Sequence, residues 1–324
     1  MSQEPQNSLR RRGIFQALVA HNHRLCDQHY LLRLAVPEDF PSTQPGQFVQ
    51  LLCRDPQASS ESVVHDRAEG DWPKFVQPEV LARRPMLRRP FSLAGRVRHE
   101  GRMELEIIHR VVGVGSAWLS ELKVGEPVSV LGPLGNTFSW PQRIEQAVLV
   151  GGGVGIPPMI YLASALAEAG KQAVAFIGAT AKNLLPLSID ASVPPSQAGW
   201  QSLCVREFAR YGVEASVSTD DGSLGFPGRV TEALWLWLDQ GRAQAGKTVV
   251  YTCGPELMMR AVAQGCISRG VACQVAMERK MACGMGTCQS CVCKTRSQDE
   301  AGWQYKLVCT DGPVFDAHQL IWER

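Results

Sequence analysis

Cys283, Cys288 and Cys291 stand in the spacing C-x4-C-x2-C, Cys293 follows two residues on, and Cys309 returns downstream. A tight cluster of cysteines in a reducing compartment reads as metal ligation rather than disulfide bonding. Four thiolates at these intervals are the ligand set of a 2Fe–2S cluster. Gly284 and Gly286 lie inside the first interval. Lacking a Cβ, they let the backbone wrap closely, so that N–H groups reach the bridging sulfides. Structural zinc prefers paired C-x2-C knuckles, unlike this glycine-broken run. Cys293 is ambiguous, because an extended chain would point it to the same side as Cys291. Cys309 is preferred as fourth ligand, since a return from a distant segment closes the cage more easily. Cys26, Cys53, Cys204, Cys266 and Cys273 read as structural thiols.

A second chemical segment is Gly151-Gly152-Gly153-Val154-Gly155-Ile156-Pro157-Pro158. It follows an apolar run and opens a helical one, the context in which a glycine loop binds a dinucleotide. Glycines admit the pyrophosphate to the backbone, and the helix start supplies N–H donors. Pro158 suits the first turn, where its missing N–H costs nothing. The acidic ribose partner that usually follows about 20 residues on is absent. Lys182 stands near that point instead, so NAD and NADP both remain open.

These residues need elements to hold them. Gly13 to Ala20, Tyr30 to Val36, Gln47 to Cys53, Phe91 to Gly95, Met103 to Val111 and Pro127 to Leu131 read as short strands punctuated by Pro and Gly, which suggests a small antiparallel barrel. From about Glu145 the period changes. Strands Ala147 to Val150, Ala173 to Ile177, Ala215 to Thr219 and Thr248 to Thr252 alternate with helices Pro158 to Ala169, Thr231 to Leu238 and Glu256 to Ser268. That alternation predicts an α/β layout with a parallel sheet. Residues 54–85 and 183–200 read as loop insertions. The fold class is therefore all-β followed by α/β, with domains at 10–143, 144–276 and a small cluster-bearing segment at 277–324.

The bulk composition is that of a globular protein. The 324 residues are 45% hydrophobic and 20% charged, with a net charge of +2, so no broad field recruits nucleic acid or anionic membrane. Arginines cluster at Arg10 to Arg12 and at Arg83, Arg84, Arg88 and Arg89. There is no apolar run long enough to span a bilayer and no signal-type apolar region, so the expected location is the cytoplasm. The histidines, His65 among them, show no ligand spacing, and neither a hydrolytic triad nor a paired-carboxylate site stands out.

Several motifs resemble the ferredoxin–NADP reductase superfamily. Arg89-Pro90-Phe91-Ser92 is similar to its flavin-binding motif, Gly113-Val114-Gly115-Ser116 to its second, phosphate-side flavin motif, and Gly153 to Pro158 to its nicotinamide loop. Cys253-Gly254-Pro255 is similar to its Cys-Gly-Pro motif. Leu87 to Leu93, Val130 to Asn136, Ser218 to Gly222 and Met277 to Cys293 further resemble the electron-transfer subunits of NAD-linked dihydroorotate dehydrogenases. Ser116 replaces a common threonine, and His109 replaces a frequent aromatic.

The resemblance implies FAD held by Arg89, Pro90, Phe91, Ser92, Ile108, His109, Arg110, Gly115 and Ser116. It implies nicotinamide dinucleotide, NAD or NADP, at Gly151, Gly152, Gly153, Gly155, Pro158, Gly254 and Pro255, with Cys253 beside the reacting ring. The metal ligands would be Cys283, Cys288, Cys291 and Cys309. Nicotinamide exchanges two electrons as hydride and the cluster exchanges one, and a flavin mediates between them. The implied partner is a dihydroorotate dehydrogenase catalytic subunit. A reductase serving an oxygenase or hydrogenase-like acceptor, or a redox sensor that turns nothing over, also accommodates the motifs.

Overall fold

The computed structural model describes residues 12–54, 87–195, 202–244 and 246–322. Arg10, Arg11, Arg83, Arg84, His65, most of the 54–85 insertion and the end of the 183–200 insertion lie outside them.

The first half is a seven-stranded antiparallel sheet made of β1 (Gly13–Cys26), β2 (His29–Val36), β3 (Phe48–Leu51), β4 (Arg89–Ser92), β5 (Gly95–His99), β6 (Arg102–Arg110) and β7 (Pro127–Leu134). Helix α1 (Val114–Glu121) lies between the last two. The strand order is β4-β3-β7-β1-β2-β6-β5. The single strand expected over Phe91 to Gly95 is two strands. Ser92 ends one sheet edge and Gly95 begins the other, and the buried corner Leu93-Ala94 joins them. That corner curls the sheet into a half-barrel around Leu32, Leu34, Val49, Leu51, Leu105 and Ile107.

The second half holds β8 (Gln146–Gly152), α2 (Ile156–Glu168), β9 (Gln172–Ala179), β10 (Glu214–Thr219), β11 (Phe226–Pro227), α3 (Val230–Trp237), β12 (Thr248–Cys253), α4 (Glu256–Ser268) and β13 (Ala272–Ala276). Strands β8 to β13 are parallel. Their runs are buried on both faces, as expected when helices cover both sides. The cluster-bearing segment adds the hairpin β14 (Val292–Arg296) and β15 (Trp303–Leu307), then β16 (Val314–Asp316). Strand β16 pairs antiparallel with β13, giving the order β11-β10-β9-β8-β12-β13-β16.

Side chains lock the two halves together. Tyr161 of α2 packs into the barrel core, and its hydroxyl donates to the Thr43 carbonyl at 2.8 Å. Asn136 donates to the Val314 carbonyl and accepts from the Val314 amide, both at 2.8 Å, which ties the end of the barrel to the C-terminal segment.

Candidate functional site

A cleft of about 540 Å³ opens between the half-barrel and the parallel sheet. Its barrel wall begins at β4, where Leu51 faces Arg89, Gln50 faces Pro90, Val49 faces Phe91 and Phe48 faces Ser92. Two neighbouring arginines part at the entry to β4. Arg88 turns inward and donates to the carbonyl and hydroxyl of Ser129, each at 2.8 Å. Arg89 stays exposed on the cleft, and among the described residues it donates to the nearby Leu87 carbonyl at 3.2 Å and the Arg88 carbonyl at 3.4 Å. Its guanidinium is placed to receive an anionic group.

Ile108, His109 and Arg110 continue the wall, followed by Gly115 and Ser116 at the start of α1. The Ser116 hydroxyl is spent on its own loop. It accepts from the amides of Val112 at 2.9 Å and Gly113 at 3.2 Å and donates to the Gly113 carbonyl at 3.0 Å. What this motif presents to the cleft is the start of a helix, a setting suited to phosphate. His109 is only 2% exposed, stacks on Tyr30 and meets Phe91 edge-on, and among the described residues neither ring nitrogen has a hydrogen-bond partner. Burial, reinforced by His29, holds its pKa near about 4. A neutral imidazole with an unused donor and acceptor fits the polar part of a flavin.

The opposite wall is built of backbone. The glycine loop leaves β8, and Cys253-Gly254-Pro255 leaves the adjacent β12. A Cβ on Gly155 would lie 2.1 Å from the Cys253 carbonyl oxygen and 2.4 Å from the Gly254 nitrogen. Gly155 is therefore required by the neighbouring loop, independently of any phosphate. Gly153 has open space around it but a φ of +53°, which a glycine adopts without penalty. Gly151 and Gly152 end β8, and Pro157 and Pro158 occupy the first turn of α2. The crevice lies at the carboxyl ends of strands where the order reverses, β8 lying between β9 and β12. Open α/β sheets bind nucleotides at that place.

Cys253 lines the cleft but is buried. Burial, helped by Glu278, pushes its thiol up to about 12. It is a neutral wall rather than a thiolate nucleophile. Glu278 also lines the cleft, and its own pKa is raised by burial. Arg279 beside it is clamped by both carboxylate oxygens of Glu256 at 3.0 Å. Sequence reasoning missed Glu278 and Arg279, because no motif marks a residue that reaches the cleft only by following β13.

No group of three or more metal-ligating side chains among the described residues is disposed to hold a single metal ion. The thiols form two pairs instead. The Cys288 amide donates to the Cys283 sulfur at 3.4 Å, and the Cys309 amide donates to the Cys291 sulfur at 3.4 Å. Two thiolates per iron is the arrangement a binuclear cluster takes. Contacts with Ser290, and then with Cys283, draw the Cys288 thiol down to about 6, toward the thiolate that a metal requires. Burial raises the thiols of both Cys293, in β14, and Cys309, to about 11 and about 12, so it is the contact with Cys291 that sets Cys309 apart. Thus the structure joins Cys309 to Cys291, and it leaves Cys293 outside both pairs.

Comparison with known proteins agrees with this geometry. The family model for the iron–sulfur cluster binding domain of dihydroorotate dehydrogenase B matches residues 278–321, and one for the siderophore-interacting FAD-binding domain matches residues 30–137. Three curated relatives share the description electron transfer subunit of dihydroorotate dehydrogenase B (NAD(+)). That of Bacillus caldolyticus is 39% identical over 76% of this chain and 86% of its own length. That of Caldanaerobacter subterraneus is 34% identical over 94% and 98%, and that of Desulforamulus reducens 29% identical over 96% and 99%. Among solved structures, a chain of an NADH-dependent reduced ferredoxin–NADP oxidoreductase, described in connection with flavin-based electron bifurcation, matches with a TM-score of 0.67 and 25% identity. The match covers 94% of this chain and 90% of that one. Full-length matches of this strength, together with a cleft that unites a flavin-motif strand with a nicotinamide loop and paired thiols in the segment that follows its Met281, place the chain in the family of electron transfer subunits of NAD(+)-dependent dihydroorotate dehydrogenase B.

Proposed function

We propose that this protein carries electrons between NAD and a catalytic subunit that oxidises dihydroorotate to orotate in pyrimidine biosynthesis, by way of FAD and a 2Fe–2S cluster. The observation that carries this reading is the shared cleft. Arg89 to Ser92, the glycine loop with Cys253, and Met281 next to the cluster segment all border one cavity. In this assignment residues 10–143 hold FAD, 144–276 the dinucleotide, and 277–324 the cluster, with Cys283, Cys288, Cys291 and Cys309 as ligands. A bound flavin supplies the exchange between two-electron and one-electron transfer.

The chain's own residues do the positioning. Arg89 neutralises phosphate charge, while the neutral His109 offers one donor and one acceptor. Pro158 and the uncharged Cys253 keep the crevice floor apolar and free of a competing nucleophile. Asp220 and Asp221 follow the end of β10, and the amide of Asp220 donates to the Ala179 carbonyl at 3.1 Å, beside the end of β9. Asp221 is held by the amide and hydroxyl of Ser223 at 3.0 and 2.6 Å, so Asp220 is the carboxylate assigned to accept from a ribose hydroxyl and repel a 2′-phosphate, which favours NAD over NADP.

Among the described residues no helix is long and apolar enough to cross a membrane. We assign the protein to the cytoplasm, where its redox partners and thiols are kept reduced. The exposed Met285, with Met281 and Val292 nearby, forms the surface we assign to the catalytic subunit. The likeness to the ferredoxin–NADP oxidoreductase chain favours a second reading, in which an iron–sulfur protein is the electron partner. Reconstitution separates the two. The purified chain is mixed with a catalytic subunit of the NAD-linked type, and dihydroorotate-dependent NAD reduction is followed. The expected result is a stable complex with that activity. No complex and no activity, alongside rapid NADH-dependent reduction of a ferredoxin, would reject the pyrimidine role.

A further inference from the structure

Gln50 is fully buried, yet among the described residues neither the nitrogen nor the oxygen of its side-chain amide has a hydrogen-bond partner. An amide in that state is destabilising unless something outside the protein satisfies it. Alternation along β3 explains where it points. Val49 and Leu51 fill the barrel core, whereas Phe48 packs in the cluster that contains Cys291 and Cys309. Gln50 projects to the side of Phe48. There it meets the thiol-bearing loop at Gly284. A Cβ on that glycine would lie 2.6 Å from the Gln50 carboxamide carbon and 2.8 Å from its Nε2 and Oε1. Gly284 follows Cys283, whose sulfur already accepts the amides of Met285 and Cys288 at 3.4 Å. The backbone of Gln50 is in register with Pro90 of the flavin-motif strand. One residue thus touches both redox elements.

We propose that Gln50 donates a side-chain N–H to sulfur on the Cys283 side of the 2Fe–2S cluster, and so sets the cluster's reduction potential from the strand that lines the flavin cleft. The inference rests on the cluster reading given above. Reduction adds one electron to the cluster and breaks no bond at Gln50. A donor to sulfur favours the more negative, reduced form, so it raises the potential.

The test uses the full chain, loaded anaerobically with FAD, iron and sulfide, and followed by EPR-monitored potentiometric titration. Gln50→Met keeps the length and removes the donor, and Gln50→Glu replaces the donor with an acceptor. Both should retain about two iron per chain and an unchanged flavin potential. The cluster potential should move negative in Gln50→Met and further negative in Gln50→Glu. Wild-type protein labelled with 15N in glutamine side chains should show a nitrogen coupling to the reduced cluster that each variant loses. An unchanged cluster potential and an unchanged coupling in either variant would overturn the proposal and leave the amide to a buried water. A wild-type chain that binds no iron or sulfide would instead reject the cluster itself, a failure distinct from that of Gln50.

Discussion

The nicotinamide crevice lines the cleft, the thiol loop begins just past Met281 at its border, and the two are completed by different means. The crevice is finished by the protein. Gly155 fits against the Cys253 carbonyl, and Gly254 lies so close to Gly152 that an added Cβ would come within 2.8 Å of its carbonyl oxygen. The thiol loop and the Gln50 side chain of β3 beside it are left with unspent groups, namely paired thiols, a Cys288 drawn toward the thiolate, and a buried Gln50 amide that has no partner among the described residues. The flavin wall lies between these extremes. Strand β6 is paired on both sides and β4 forms a sheet edge, while among the described residues the His109 nitrogens have no hydrogen-bond partner. Backbone complementarity inside the protein makes a site that stands without its ligand. Unsatisfied side chains make a site whose stability depends on what it binds.

The largest test of that contrast is at the cysteines. Cys309→Ser should abolish the cluster, with iron falling from about two per chain to none, whereas Cys293→Ser should keep it. Loss of iron only in the Cys293 variant would reverse the ligand assignment. Next is Gly155→Ala. One methyl group directed into a neighbouring carbonyl should cost about 3 kcal/mol of stability or more and slow NADH-dependent flavin reduction, with iron content unchanged. Thermal unfolding at the wild-type temperature would mean that the crevice is not interlocked as described.

The smallest effect concerns pH. The folded pKa of His109 lies near about 4, below the ordinary value of 6.5. Between those values the unfolded chain binds a proton that the folded chain does not. Stability attached to His109 is therefore fully present above pH 6.5 and falls as the pH drops toward 4, by up to roughly 3 kcal/mol. In flavin-free protein, His109→Phe should flatten this acid sensitivity, with His29 contributing what remains. Equal slopes for wild type and variant in urea titrations across that window would remove His109 from the account.

The sequence carried the frame further than the contacts. Period-two and buried runs located most of the strands, because a one-face or two-face environment writes itself into the residue pattern. Helix α1 was visible only as a glycine motif, since its eight residues open without an acidic first turn. The division of Phe91 to Gly95 into two strands at opposite sheet edges leaves no local signal, because the apolar, buried Leu93-Ala94 corner reads like the middle of a strand. The C-x4-C-x2-C spacing announced the thiols on its own. Gln50, Glu278 and Arg279 were silent, because each gains its meaning from a partner far away in the chain. The role of Gly155 was legible in type but not in cause, since only the fold brings Cys253 against it.

The short strand β16 has a consequence for how this architecture can be taken apart. By pairing with β13 and holding Asn136, it makes the cluster-bearing segment a structural member of the central sheet. The segment is not a cassette hung from its edge. Cut away at residue 277, it would leave β13 as an open edge, with a row of unpaired N–H and C=O groups inviting another chain. The cluster cannot swing between partners as a tethered carrier does, so any acceptor has to come to it. Transplanting the module onto another reductase would require moving a sheet edge along with the cysteines.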